Sequence, residues 1–211
     1  MASDEDDFEL FLRWQDGDRQ AGGVLIERHF KKIQRFFARK VGDQELVQEL
    51  VQRTFDRCTK RLPAFAARSV FSSFLYGIAR HILLEYFREA RRAGRSTPIE
   101  VEQTPLVDLD PSPFTVLEAR ADRKLLIHVL RRLPLDDQIL VELYFFEDLS
   151  APQICEIVGL PETTLRARIR SCRKRAGELV RELAESKEQL ESTVMTLNGW
   201  ADGVKERVKH E

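Results

Sequence analysis

Residues 150–175 read SAPQICEIVGLPETTLRARIRSCRKR, and this stretch decides the fold of the second half of the chain. Ser150, followed three residues later by Gln153, is a capping box, and Pro152 lies in the first turn, where its missing N–H matters little. Gly159 indicates the end of this short helix, and a second helix rich in arginine follows. A capped helix, a glycine-containing turn and a second helix together predict a helix-turn-helix.

The second helix of this motif carries the residues that we expect to contact DNA. Leu165 and Ile169 lie four residues apart and predict the face that packs on the core. A helix fits the DNA major groove, where arginine binds guanine or phosphate, and hydroxyls at a helix N-terminus can meet a phosphate. A basic, solvated helix face is the alternative interpretation. The candidate DNA contacts are Thr163, Thr164, Arg166, Arg168, Arg170 and Arg173.

The rest of the chain is also predicted to be helical. Apolar residues recur at intervals of three and four over 24–41, 46–58 and 70–87 in the first half, and over 126–133 and 139–146 in the second. No stretch alternates apolar and polar residues for more than a few positions. Gly (10) and Pro (8) are both scarce, which disfavours a turn-rich β architecture, so the predicted fold class is all-α.

A proline-rich, acidic stretch over residues 94–114 divides the chain. Its prolines are Pro98, Pro105, Pro111 and Pro113. Proline fixes φ and cannot donate a backbone hydrogen bond, so a long helix cannot pass through this stretch. We expect a linker between two small helical domains, residues 8–93 and 115–182, which fits a length of 211 residues. An ordered loop inside one domain is the alternative.

Residues 183–211 are predicted to form a C-terminal helical extension. Apolar residues continue at steps of four and three from Leu183 to Val208. Asn198 and Gly199 weaken a single straight helix, so a bend is expected near them. A frayed, solvated tail is the alternative.

Composition excludes several classes of function. The net charge of −1 and a pI near 6.5 exclude a uniformly basic coat, so DNA contacts must come from local basic patches. Three cysteines without close pairs and four histidines without helical pairing indicate neither a disulfide framework nor a metal site, and we expect no cofactor. No apolar run reaches the roughly 20 residues of a membrane span, and the N-terminus is acidic, so a cytoplasmic protein without membrane contact is expected.

The sequence also predicts that the chain is not an enzyme. It contains no glycine-rich phosphate loop, no nucleophile paired with a base and no carboxylates clustered at catalytic spacing. A function that depends on binding alone is therefore expected.

Two stretches of the first half resemble a known family. Residues 48–55 read QELVQRTF, and residues 71–81 read FSSFLYGIARH, followed by a basic helix end. They are similar to region 2 of the extracytoplasmic-function (ECF) sigma factors, promoter-recognition subunits of bacterial RNA polymerase. The second half, from Leu133 through the basic helix, resembles region 4 of that family. The resemblance covers residues 8–92 and 115–182, in the same order.

Five positions depart from the family's pattern. Glu49 and Phe74 stand where Asp and Trp are usual, and both keep the chemistry. Arg53 replaces an acidic residue on the helix that is expected to face polymerase. His81 stands in place of Asn and Ser171 in place of Arg, and these two changes bear on which promoter sequence is recognised.

The resemblance implies a sigma factor that binds core RNA polymerase, recognises the −35 and −10 elements of promoter DNA and promotes DNA opening. The helix-turn-helix candidates given above would recognise the −35 element. The residues implied for polymerase binding are Glu49, Leu50, Gln52 and Phe55. The residues implied for the −10 element are Lys60, Arg61, Arg68, Tyr76, Arg80, His81 and Arg88. Of these, Tyr76, Arg80 and His81 are expected to lie off the apolar stripe of their helix. An anti-sigma factor or other regulator is a further partner that family analogy implies.

Two other functions stay open on the sequence alone. A stand-alone helix-turn-helix regulator would bind specific duplex DNA without polymerase. A protein that only sequesters polymerase would bind the core enzyme yet support no transcript.

Overall fold

In a computed structural model of the chain, the residues that can be described are 6–62, 70–94, 120–147, 149–184, 186–187, 191 and 193. Over these residues the structure has eight α-helices and no β-strand, which confirms the all-α prediction. The helices are α1 (Asp7–Gln15), α2 (Arg19–Ala38), α3 (Gln44–Arg61), α4 (Phe71–Arg92), α5 (Arg120–Arg131), α6 (Leu135–Phe145), α7 (Ala151–Val158) and α8 (Glu162–Leu183).

The chain divides into two compact units. The first consists of residues 1–100 and 150–160, and the second of residues 101–149 and 161–211. Helices α1 to α4 and α7 therefore belong to the first unit, and α5, α6 and α8 to the second. The predicted linker after Gly94, and most of the predicted C-terminal extension, lie outside the described residues. The domain boundaries and the packing of α7 with α8 as a helix-turn-helix stay predictions.

Helix α4 is the centre of the first unit, because α1, α2, α3 and α7 all pack against it. Helices α2 and α3 begin at side-chain caps. Asp18 accepts hydrogen bonds from the first N–H groups of α2, and Asp43 does the same for α3. The core of this unit is mainly aliphatic and includes several aromatic rings, of which those of Phe36 on α2 and Tyr76 on α4 meet edge to face at 5.7 Å.

A buried polar contact attaches α1 to α2. The Nε2 atom of His29 lies 2.7 Å from Oδ2 of Asp7, and Arg28 donates a hydrogen bond of 3.0 Å to the other oxygen. Burial lowers the pKa of His29 more than the neighbouring Asp7 raises it. Partial burial works to raise the pKa of Asp7, but the hydrogen bonds from His29 and Arg28 outweigh it and the pKa is lowered. A neutral His29 donating to an ionised Asp7 therefore joins the two helices.

Helix α7 begins and ends as its sequence predicts. Ser150 and Gln153 form the capping box, and the backbone N–H of Ser150 donates to Oε1 of Gln153 at 2.7 Å. The helix buries Ile154 and Ile157 and packs against α4. Gly159 ends it with a φ of 72°, in the left-handed region that glycine adopts without strain.

In the second unit, α5 and α6 pack against α8. One buried apolar cluster joins α5 to α8, and a second joins α6 to α8. The first cluster contains Leu125, Val129, Ala176 and Val180, and the second contains Leu133, Val141 and Cys172. The side-chain amide of Gln138 donates to the carbonyl oxygens of Arg131 and Leu133, at 3.0 and 2.8 Å, and so satisfies the end of α5.

Candidate nucleic-acid and polymerase interfaces

Helix α8 presents three different faces. Its buried stripe consists of Leu165, Ile169, Cys172, Ala176 and Val180. At about 100° per residue, the face opposite this stripe carries Thr163, Ala167, Arg170 and Lys174, which are all exposed. We call these four residues the outward face of α8. Lys174 was not among the predicted DNA contacts, although its helical spacing from Arg170 was sufficient to find it.

The predicted DNA contacts on α8 fall into different environments. Arg170 and Arg173 are exposed, and neither has an ion pair within the described residues. Nε of Arg166 donates 2.9 Å to Oε1 of Glu162, one turn earlier, and both side chains are about half exposed. Arg168 instead donates from Nη2 to Oδ1 of Asp137 on α6, at 3.3 Å. Thr163 and Thr164 are exposed in the first turn of the helix.

Two of the three cysteines lie among the buried side chains of α3 and α8. Cys58 and Cys172 are buried and free. Burial raises the pKa of each thiol to about 12, and at Cys172 the neighbouring Asp137 adds to the rise. Both thiols are therefore protonated at neutral pH and act as small apolar side chains.

The residues predicted to bind polymerase divide between the surface and the core of α3. Glu49 is exposed over 62% of its side chain, and Gln52 is also exposed. Leu50 is fully buried, and Phe55 is 8% exposed with its ring stacked on Phe30 at 6.0 Å. Leu50 therefore supports α3 from inside the unit, while Glu49 and Gln52 are available to a partner.

The residues predicted for the −10 element also differ in exposure, and the prediction for Tyr76 was wrong. Tyr76 was expected off the apolar stripe of α4, but it is only 1% exposed. The stripe is wider than a single packing face because α4 has neighbours on several sides. His81 and Arg88 are exposed and Arg80 is half-buried. At the end of α3, Lys60 and Arg61 are exposed, whereas Arg68 lies outside the described residues.

A carboxylate that the sequence analysis missed connects α3 and α4. Glu85 accepts a 3.0 Å hydrogen bond from Arg57 and lies 2.9 Å from Nε2 of His81 and 3.8 Å from Arg53. Partial burial works to raise the pKa of Glu85, but the hydrogen bond from Arg57 and the nearby positive charges outweigh it. The pKa of Glu85 is therefore lowered. The four-residue spacing from His81 to Glu85 was visible in the sequence. The contacts from Arg57 and Arg53 on α3 depend on the packing of two helices.

Comparison with known proteins shows which family the chain belongs to. The family model described as Sigma-70 region 2 matches residues 25–93, and the one described as Sigma-70, region 4 matches residues 123–175. Over 176 residues the chain is 28% identical to the ECF RNA polymerase sigma-E factor of Haemophilus influenzae, with 80% of this chain and 92% of the relative covered. The chain belongs to the ECF sigma factors.

Solved structures share the fold of this chain at low sequence identity. The structure titled CnrH in complex with the cytosolic domain of CnrY matches with a TM-score of 0.60 and 20% identity, covering 84% of this chain and 99% of that one. The sigma factor RpoE from Bartonella quintana, solved with the anti-sigma factor NepR, matches with a TM-score of 0.54 and 20% identity, covering 75% and 96%.

The regions of this sigma factor coincide with its helices. The region 2 match spans most of α2 and all of α3 and α4, and the region 4 match runs from α5 into the basic part of α8. No helix in the part of the chain that the structure describes is both long and apolar enough to cross a membrane. The same residues contain no group of three potential His, Cys, Asp or Glu metal ligands.

Proposed function

We propose that this sigma factor binds core RNA polymerase, directs it to promoters with a −35 and a −10 element, and assists DNA opening. The observation that carries the proposal is the exposed basic surface of α8 within a region 4 match, in a chain that also matches region 2. Region 2 precedes region 4 along the chain, in the same order as in the family that the sequence resembles. The chain performs no catalysis of its own, because capture of promoter DNA depends on binding alone, and it acts in the cytoplasm.

The −35 element is recognised by α8. Arg170 and Lys174 lie on the outward face of the helix and carry charges that a DNA groove attracts. Arg173 and Arg166 flank that face. Both side chains of the Arg166–Glu162 ion pair are about half exposed, so Arg166 can exchange Glu162 for a DNA contact at little cost in free energy. Thr163 and Thr164 lie at the N-terminal end of the helix, where a phosphate is favoured.

The −10 element is captured in the first unit. The exposed imidazole of His81 offers a ring for contact with an unpaired base, and Lys60, Arg61 and Arg88 supply exposed positive charge for the backbone. Arg80 contributes from a half-buried position. Tyr76 packs in the core, and its contribution is to hold α4 in place.

Polymerase is bound through the exposed polar face of α3. Glu49 and Gln52 lie three residues apart and share one side of the helix. Phe55 and Leu50 shape this surface from below. A cytoplasmic regulator is a further proposed partner, since the similar structures are complexes, one of CnrH with the cytosolic domain of CnrY and one of the sigma factor RpoE with the anti-sigma factor NepR.

The test is transcription from genomic DNA by sigma-free core polymerase with the purified full chain added. We expect transcripts that depend on the chain and whose start sites share an upstream and a downstream motif. Absence of chain-dependent transcripts rejects the proposal. Specific duplex binding by the chain alone, without transcripts, supports a stand-alone regulator instead.

The role of α8 is tested in the same assay by Arg170→Ala combined with Lys174→Ala. Promoter binding should fall at least about tenfold, because each lost base contact costs about 1–3 kcal/mol. Arg181→Ala with Lys187→Ala removes the same charge from exposed positions beyond the region 4 match and serves as the control. Equal loss in both double variants contradicts the assignment of the outward face.

A further inference from the structure

We infer that Asp137 on α6 is a positioning residue that fixes the recognition helix α8 by holding Arg168 and Arg175, and that these two arginines are thereby withheld from DNA. The inference rests on the proposed function, in which α8 recognises the −35 element. It assigns sequence recognition to the outward face of α8 and gives Arg168 a different role from Arg170.

The two arginines bind opposite oxygens of one carboxylate. Nη2 of Arg168 donates to Oδ1 of Asp137 at 3.3 Å, and Nη1 of Arg175 donates to Oδ2 at 3.2 Å. Arg168 and Arg175 are seven residues apart, which is about two turns of an α-helix, so they lie on the same flank. One carboxylate on α6 therefore holds α8 at two points, which restricts both its rotation and its sliding along the helix axis.

The surroundings of Asp137 make this contact more than a surface ion pair. Its side chain is only 12% exposed, and Val141, one turn later on α6, belongs to an apolar cluster with Cys172 of α8. A carboxylate withdrawn from water requires charged or hydrogen-bonded partners, and the loss of those partners leaves an uncompensated charge. Exposed pairs such as Arg166 with Glu162 lack this constraint.

We call the contact of Asp137 with Arg168 and Arg175 the clamp. It determines which arginines of α8 can recognise a base. Arginine recognises guanine through two parallel hydrogen bonds from its fork of donors. Arg168 directs an Nη2 donor at Asp137, so its guanidinium is held against α6 and not on the outward face of α8. Arg170 has no ion pair within the described part of the chain, so its donors are available.

The test compares Asp137→Asn with Asp136→Asn in the full chain bound to core polymerase. Both variants remove one negative charge from α6, but Asp136 is exposed whereas Asp137 is buried. The probes are the upstream duplex selected by the wild-type holoenzyme from a random pool and a scrambled duplex of the same composition. Affinities for both probes are measured over a series of salt concentrations, and thermal unfolding confirms that each variant is folded.

Asp137→Asn should reduce the affinity ratio between selected and scrambled duplex about tenfold, while Asp136→Asn keeps the wild-type ratio. Two released arginines should also steepen the dependence of log affinity on log salt by up to about 1.8, at about 0.9 for each added phosphate contact. If Asp137→Asn has the same affinity ratio and salt dependence as Asp136→Asn, the inference is overturned. In that case, selection of a motif by the wild-type holoenzyme still supports the proposed function. Failure of the wild-type protein to select any motif overturns both.

A second variant separates positioning from direct contact. Asp137→Asn with Arg168→Gln and Arg175→Gln removes all three charges and leaves no unpaired buried charge. The inference requires a low affinity ratio without the steeper salt dependence. If this triple variant loses affinity for the selected duplex while Asp137→Asn keeps the wild-type ratio, Arg168 and Arg175 contact DNA themselves and the clamp is rejected.

Discussion

Replacement of Tyr76 distinguishes a core residue from a base-capturing one. Tyr76 is 1% exposed and packs edge to face on Phe36, whereas His81, on the same helix, is exposed. If burial decides its role, Tyr76→Ala destabilises the first unit and His81→Ala does not. If Tyr76 instead stacks on an unpaired base, Tyr76→Ala should leave the stability unchanged and impair DNA opening.

The size of the effect follows from the burial. Truncation of a buried aromatic side chain to alanine costs about 3–5 kcal/mol, because both its packing and a cavity contribute. For a domain of this size, each kcal/mol lowers Tm by about 4–8 °C, so Tyr76→Ala should lower Tm by at least about 12 °C. His81→Ala removes an exposed side chain and its contact with Glu85, which should cost less than about 1 kcal/mol.

The assay combines thermal unfolding of the full chain with promoter opening by the holoenzyme. Opening is followed by the fluorescence of 2-aminopurine in the −10 element, at a temperature at which every variant is folded. Tyr76→Phe keeps the ring and should open DNA like the wild type, whereas His81→Ala should slow opening. A Tyr76→Ala protein that keeps Tm within about 2 °C of the wild type but cannot open DNA refutes the assignment of Tyr76 to the core.

Three further predictions concern the first unit. Glu49→Ala with Gln52→Ala should weaken core polymerase binding at least about tenfold with Tm unchanged, and full affinity in a binding titration would reject the α3 interface. Glu85→Gln should slow opening without changing upstream binding, and a wild-type opening rate would show that its ion pairs are only structural. The folded-state pKa values of Asp7 and His29 are both lowered, so the deprotonated form of each group favours the fold. For His29 this contribution to stability is complete above the usual histidine pKa of 6.5 and is lost as the pH falls and the imidazole is protonated. Urea unfolding should therefore show stability decreasing below pH 6.5, first through His29 and then, below 3.8, through Asp7, and His29→Gln should remove the first part of this decrease.

The sequence by itself determined the described helices other than α1, and it indicated the family. Helical periodicity, the capping box of Ser150 and the left-handed Gly159 depend on residues within one or two turns of each other, so they are visible without a fold. The order of the two sigma-like stretches is also a property of the chain alone. The exposure of Glu49 and Gln52 followed from their place outside the apolar stripe of α3.

Only the tertiary structure decided which polar and aromatic side chains are available. The sequence placed Tyr76 off the stripe of α4 because a surface helix buries one face, but α4 is surrounded by four other helices and buries a wider arc. The contact of Asp137 with Arg168 joins residues 31 positions apart, and that with Arg175 joins residues 38 positions apart. Spacing along the chain holds no information on such pairs, because their geometry arises only when α6 packs on α8.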